Sequence, residues 1–165
     1  MRVLRLARLA PLAALTVAFA VGSSFSGCNC DSDLGHIGPQ AVLVHGTDKT
    51  PPLKLLKVGL DPTPLTQTAN VEFSLENNGN EGLIVTDIAF GTDSDLCPQS
   101  SGAFSLVAPS STQVTVARGS KTPVTVAFAP TSGANNCTVL EIHSNDADHP
   151  VLRALITGQG DAPGL

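Results

Sequence analysis

The sequence predicts an all-β fold, a sandwich of about seven to eight antiparallel strands. Apolar and polar residues alternate over short stretches, which is the period of a half-buried strand. Clusters of Gly, Pro and Asn separate these stretches, and such residues favour turns. No segment after residue 28 carries the apolar stripe of an amphipathic helix. Many short strands joined by turns indicate two sheets packed face to face.

The strands are expected in order from about residue 54 to residue 160. The clearest has Val71, Phe73 and Leu75 on one face, and it ends in the polar cluster 77–80, where Asn and Gly permit positive φ. The later strands are expected at 83–90, 104–106, 114–116, 124–128, 140–143 and 152–156. Gly158 and Gly160 are expected to release the chain from the last of them.

The mature chain has four aromatic residues, and all of them fall at predicted inward positions: Phe73, Phe90, Phe104 and Phe128. The chain has no Trp and no Tyr. The buried tryptophan and the tyrosine corner of antibody domains are therefore absent. The predicted sandwich is Ig-like in architecture only.

Residues 1–27 have the order of a lipoprotein signal peptide. Arg2, Arg5 and Arg8 precede an apolar run over 9–21, and small residues follow before Cys28. The run is shorter than the roughly 20 residues of a membrane-spanning helix. Ser-Gly-Cys resembles a lipobox, in which Cys28 would be the lipidation site and the mature N-terminus.

Residues 28–53 are predicted to be the acylated cysteine and a flexible tether, and residues 161–165 a C-terminal tail. One apolar run, 41–44, is either a stray strand or a segment that docks on the domain. Asn29 follows the anchor, and by resemblance to bacterial sorting rules a residue other than Asp there permits passage to the outer membrane. The expected location is the cell envelope, with the membrane leaflet and orientation left open between periplasm and surface.

The net charge of the mature chain limits the class of molecule that it can bind. Removing the three arginines of residues 1–27 leaves six basic against fourteen acidic residues, a formal charge of −8. Nucleic acid is excluded as a partner because its phosphates require clustered Lys and Arg.

Cys97 and Cys137 are expected to form a disulfide, as in other small exported domains. The fate of Cys30 stays open.

Three short motifs follow one another along the predicted strands: Phe128-Ala129-Pro130, Ser144-Asn145-Asp146 and Gly158-Gln159-Gly160. In this order they resemble the choice-of-anchor D domain, a bacterial relative of the ASPM–SPD-2–Hydin group of Ig-like domains. The resemblance covers about 54–160. It implies a common extracellular domain combined with varied anchoring signals, and it implies no catalysis.

Two polar clusters contain residue types that could carry chemistry. Ser144, Asp146, Asp148 and His149 contain the residue types of a hydrolase triad, but a turn explains them and no nucleophile-elbow motif occurs. Asn145, Asp146 and Asp148, with Asp93 and Asp95, offer oxygen ligands for calcium without the spacing of an EF-hand. The sequence thus predicts no catalytic residues, no metal site and no cofactor.

These features predict a lipid-anchored envelope lipoprotein that presents an Ig-like, non-catalytic structural or protein-interaction module. The expected partners are the membrane, through the N-terminal lipid, and another envelope or surface protein. The alternative is a calcium- or saccharide-binding module at the cell surface. Calcium-dependent melting would favour that alternative.

Overall fold

The computed structural model describes residues 37–162. The predicted signal peptide, Cys28 and Cys30 lie outside them. The described residues form strands and turns and no helix, and so contain no helix able to cross a membrane. The strands are β1 (Ala41–His45), β2 (Asp48–Thr50), β3 (Leu56–Gly59), β4 (Thr63–Pro64), β5 (Ala69–Asn77), β6 (Leu83–Gly91), β7 (Phe104–Ala108), β8 (Val114–Val116), β9 (Lys121–Phe128), β10 (Asn135–Ser144) and β11 (Val151–Asp161).

The strands make two sheets. Sheet 1 has the order β2-β1-β5-β9-β7, and sheet 2 has the order β3-β11-β10-β6-β8, with β4 also paired to β11. Sheet 1 is antiparallel throughout. In sheet 2, β3 and β4 run parallel to β11. The all-β prediction is confirmed, whereas the expectation of seven to eight strands, all antiparallel, is corrected to eleven strands within the described residues.

The core lies between the sheets and is built from the inward side of each strand. Val71, Phe73 and Leu75 of β5 are at most 3% exposed, as their alternation predicts. Phe128 of β9 stacks on Phe104 of β7 with ring centroids 4.8 Å apart. Phe90 is half-buried and packs on the same cluster. All four predicted aromatic core positions are therefore confirmed.

The folded domain starts earlier than predicted. Residues 41–50, assigned to the tether, form β1 and β2 of sheet 1. β1 pairs with β5 from Ala41↔Asn77 to Val44↔Ser74. Ala41, Val42 and Leu43 are all at most 6% exposed, so β1 is buried on both faces. A short strand of this kind lacks the alternation that identifies a half-buried strand, so the sequence pattern places the start of the domain too late, at residue 54.

The two ends of the sandwich hold different segments of the chain. We call the end where β5 and β10 terminate the near end, because it is nearest to the N-terminal segment: residues 38–41 join the domain there. Gly38 and Asn80 exchange hydrogen bonds at 2.8 and 3.0 Å. The opposite end, the far end, holds the loops 60–68, 92–103 and 129–134. There Leu65 N donates to Asp161 O and Ala129 N to Ala103 O.

The two glycines near the C-terminus do not release the chain from the sheet. Gly158 and Gly160 both lie inside β11, which ends at Asp161. A Cβ on Gly160 would run into the backbone carbonyl of Ser132. These positions are glycine because neighbouring groups fill the space that a side chain would need. Gly79 is a similar case, since its φ is not positive and a Cβ there would meet the backbone of residues 38–40.

Candidate functional site

A loop folded onto the outer face of sheet 2 is the most distinctive surface feature. Val139 of β10 and Leu155 of β11 are cross-strand partners whose side chains point away from the core. Cys97 of the β6–β7 loop packs on them and is 0% exposed, and Leu55 and Cys137 border the group. Residues 92–101 thus cover a second, small apolar cluster. We call this segment the cap loop.

The predicted disulfide fastens the cap loop to the sheet. Cys97 and Cys137 are bonded, with their Cα atoms 5.8 Å apart and a sequence separation of 40. Cys137 lies in β10 opposite Thr157 of β11. The bond therefore joins the cap loop to a strand that is hydrogen-bonded on both sides along most of its length.

The cap loop is also held by an ion-pair network. Arg153 of β11 donates from Nη2 to the carbonyl of Thr92 at 3.0 Å, and its Nη1 lies 3.5 Å from Asp93 Oδ2. The same guanidinium donates from Nε to Glu141 Oε1 at 3.1 Å. Arg153 was not singled out from the sequence, where it is only one polar residue in an alternating strand. The structure makes it the side chain that joins the cap loop to both central strands of sheet 2.

Hydrogen bonds close both ends of the cap loop. Asp93 and Cys97 exchange backbone hydrogen bonds of 2.8 and 2.9 Å. At the other end Ser101 N donates to Cys137 O at 2.8 Å, and Ser100 Oγ lies 2.7 Å from Thr138 Oγ1. The loop is therefore fixed at several points besides the disulfide.

A cavity opens beside the disulfide, with a volume of about 420 Å³. Its wall consists of amide, hydroxyl and apolar groups together with one sulfur-bearing residue: Leu60, Leu96, Asn135, Asn136, Cys137, Thr157, Gly158 and Gln159. Leu96 of the cap loop is 46% exposed. Asn136 Oδ1 accepts a hydrogen bond from Ser101 Oγ at 2.7 Å, which fixes that amide at the rim.

The cluster weighed as a hydrolase triad forms the β10–β11 turn at the near end. Asp146 is 1% exposed, and Oδ1 accepts the backbone N–H groups of Asp148 and His149 at 2.9 and 3.2 Å. Its Oδ2 accepts the N–H of Ala41 at 2.8 Å. Ser144 Oγ accepts from Asp146 N at 3.4 Å. The predicted turn is confirmed, and Asp146 has the further role of holding the first strand.

The residues weighed for calcium do not come together as a ligand set. Asp93 Oδ1 caps its own turn by accepting the N–H groups of Asp95 and Leu96 at 3.2 and 3.1 Å. Asp146 uses both oxygens on backbone donors. Within residues 37–162 no group of three or more His, Cys, Asp or Glu side chains is arranged to hold a metal ion.

Asn77 is a structural residue that sequence reasoning placed only in a turn. It is 0% exposed. Its Nδ2 donates to the carbonyls of Glu81 and Val116 at 2.7 and 3.0 Å, and its Oδ1 accepts from Gly79 N at 3.1 Å and Gln40 N at 3.3 Å. One side chain thus joins the β5–β6 turn, the end of β8 and the segment before β1.

Comparison with known proteins identifies similar folds among solved structures but no family for the sequence. No family model and no curated protein matches the sequence. The ASH/PapD-like domain of human CEP192 (PapD-like domain 7) is 14% identical with a TM-score of 0.52, over 75% of this chain and 87% of that one. A protein of unknown function from Porphyromonas gingivalis W83 is 16% identical with a TM-score of 0.53, over 74% of this chain and 47% of that one.

The fold is an Ig-like β-sandwich. Both similar structures are far below the identity at which function transfers, so they support the architecture alone. The ASH/PapD-like description agrees with the fold that the choice-of-anchor D resemblance implied.

Proposed function

We propose that this chain is a lipid-anchored lipoprotein of the cell envelope whose Ig-like domain is a non-catalytic structural or protein-interaction module. The observation that carries the proposal is that the N-terminal segment and the cap loop lie at opposite ends of the domain. Residues 38–41 join it at the near end, where Asp146, Asn77 and Asn80 bind their backbone. The cap loop starts at the opposite end. An anchor at Cys28 would hold the near end toward the membrane and present the far end to partners.

The far end suits a recognition surface because its loops are fixed before any partner arrives. Disulfide, ion-pair and backbone contacts hold the cap loop in one conformation. A preformed surface loses less conformational entropy on binding than a flexible one. Leu96, about half exposed, provides an apolar contact at the wall of a cavity that also presents amide and hydroxyl groups. The proposed partner is another envelope or surface protein, at the outer membrane.

Two experiments test the proposal. Metabolic labelling with an alkyne fatty acid should mark the wild-type protein and a Cys30→Ala variant but not a Cys28→Ala variant. A photo-crosslinking residue at position 96, on the far end, should capture a protein in intact cells. The same residue at Glu81, which is exposed in the near-end turn, should not capture that protein. Label on the Cys28→Ala variant would contradict the anchor, and equal capture from both positions would contradict the far end as the recognition surface.

A further inference from the structure

We propose that the Cys97–Cys137 disulfide is a thiol-exchange site, opened by a compact thiol that enters the adjoining cavity and bonds to Cys137. The disulfide would then be chemically reactive, in addition to holding the cap loop in place. It does not depend on the lipid anchor or on a protein partner.

The two cysteines differ in their exposure. Cys97 is 0% exposed beneath the cap loop. Cys137 is partly exposed and belongs to the cavity wall, whereas Cys97 does not. Thiol exchange requires the incoming sulfur to reach the sulfur it attacks. Attack is therefore directed to Cys137, and Cys97 becomes the leaving group.

The exchange balances with one thiol as the only co-reactant. The thiolate R–S⁻ donates an electron pair to Cys137 Sγ, and a new R–S–Sγ bond forms. The Sγ–Sγ bond breaks, its electron pair moves to Cys97 Sγ, and that thiolate takes up the proton that the incoming thiol released. The incoming sulfur is oxidised from the thiol to the disulfide level, Cys137 stays at that level, and Cys97 is reduced to the thiol.

The fold can tolerate the open state because the cap loop has other attachments. Arg153 holds Thr92 and Asp93, and Ser101 holds the loop's far side to β10. The carbonyl oxygen of Gln99 lies 3.6 Å from Cys97 Sγ, so it can accept a hydrogen bond from the released thiol. Opening the bond thus leaves the loop in place, and reversal by Cys97 restores the original disulfide.

Charge around the cavity selects among compact thiols. The far-end segments 60–68, 92–103, 129–135 and 158–162, each of which contributes at least one residue to the cavity wall, contain four Asp residues and no Lys or Arg: Asp61, Asp93, Asp95 and Asp161. Asp93 is matched by Arg153, and Lys57, exposed on the neighbouring strand β3, opposes the other three, so the far end keeps a net negative charge. A positively charged thiol should be concentrated at the cavity and a negatively charged thiol repelled.

Peptide mapping tests the site of attack. The folded full-length chain is treated with cysteamine, quenched with acid, and mapped by mass spectrometry. We expect the cysteamine adduct on Cys137 and a free thiol on Cys97. An adduct on Cys97, equal adducts on both residues, or adducts that form only in denaturant would overturn the proposal.

Comparing charged thiols tests the cavity. Rates with cysteamine and with 3-mercaptopropionate are each divided by the same thiol's rate on an unstructured peptide disulfide, which removes differences in intrinsic reactivity. We expect a normalised ratio above about 3 at low salt that falls toward 1 in high salt, because salt screens exposed charges. An Asp95→Asn variant should lower the low-salt ratio, and a ratio near 1 in the wild type would overturn charge selection by this cavity.

Variants that each keep one cysteine of the disulfide pair provide an independent check. Cys97→Ser and Cys137→Ser both lack the disulfide, so they form a matched pair. In native buffer the remaining Cys137 should react with iodoacetamide at least tenfold faster than the remaining Cys97, and the difference should vanish in denaturant. If either variant fails to fold by circular dichroism, the wild-type mapping decides alone.

Discussion

The ring of Phe128 in β9 lies directly against Gly158 in β11, across the interior of the sandwich. A Cβ at position 158 would be 2.7 Å from Cε1 of that ring. We expect Gly158→Ala to lower the free energy of unfolding by about 1–3 kcal/mol, because a buried aromatic ring has to move to admit the methyl group. Urea denaturation followed by circular dichroism measures the change.

A second glycine variant separates packing from the general effect of replacing glycine. Gly102 has no heavy atom within 4 Å of an added Cβ. Gly102→Ala should therefore change stability by less than about 0.5 kcal/mol. Equal losses in both variants would contradict the close Phe128–Gly158 contact.

Replacing Asn77 should destabilise the near end. Its amide makes two donor and two acceptor contacts while 0% exposed, so Asn77→Ala leaves several buried backbone groups without their partner. We expect a loss of about 2–4 kcal/mol in the free energy of unfolding. Asn78→Ala, in the exposed neighbouring position, is the control and should be nearly neutral. Similar values for the two variants would contradict the role of Asn77.

Replacing Asp146 tests whether one carboxylate holds both a turn and the first strand. Oδ1 accepts two N–H groups of the β10–β11 turn, and Oδ2 accepts the N–H of Ala41. Asn has one acceptor oxygen, so Asp146→Asn should lose the hydrogen bonds either to the turn or to Ala41. We expect the free energy of unfolding to fall by about 1–3 kcal/mol. Hydrogen exchange should then report faster exchange at Ala41 or in the turn 147–149. Unchanged hydrogen exchange in both segments would show that the hydrogen bonds accepted by Asp146 do not stabilise them.

The alternating strand β5 could be predicted from the sequence, and the uniformly apolar strand β1 could not. In β5 the apolar residues alternate with Glu72, Ser74 and Glu76, so the period of two identified the strand and its inward face. In β1 the run Ala41–Val44 has no polar positions. Its place in sheet 1 depends on pairing with β5, a contact between residues about 30 apart that local pattern does not encode.

The disulfide could be predicted from the sequence, but the network around it could not. Two cysteines in a small domain with an export signal are usually paired, so composition alone indicated Cys97–Cys137. Arg153, Glu141 and Asp93 are separated by up to 60 residues and come together only because β11 lies beside β10 and the cap loop crosses both. The same holds for Asn77, whose four partners lie on three separate segments.

We expect calcium to leave the domain's melting temperature unchanged. The carboxylate of Asp146 is committed to backbone donors, and that of Asp93 to backbone donors and Arg153, so a cation would have to displace existing contacts. Differential scanning fluorimetry in calcium and in EDTA measures this, with magnesium as the control for ionic strength. A rise of several degrees specific to calcium would favour the calcium-binding alternative.

Reducing the disulfide should lower stability while the fold remains. The bond closes a long segment, since its cysteines have a sequence separation of 40, and so restricts the unfolded chain. We expect reduction to remove about 2–4 kcal/mol, which lowers the melting temperature by about 10 °C in a domain of this size. Far-UV circular dichroism below the transition should stay β-rich, because Arg153 and the Ser101–Cys137 backbone hydrogen bond still hold the cap loop. The measurement uses a Cys30→Ser variant so that only this pair changes. Loss of the β spectrum on reduction would show instead that the disulfide is needed for the native fold.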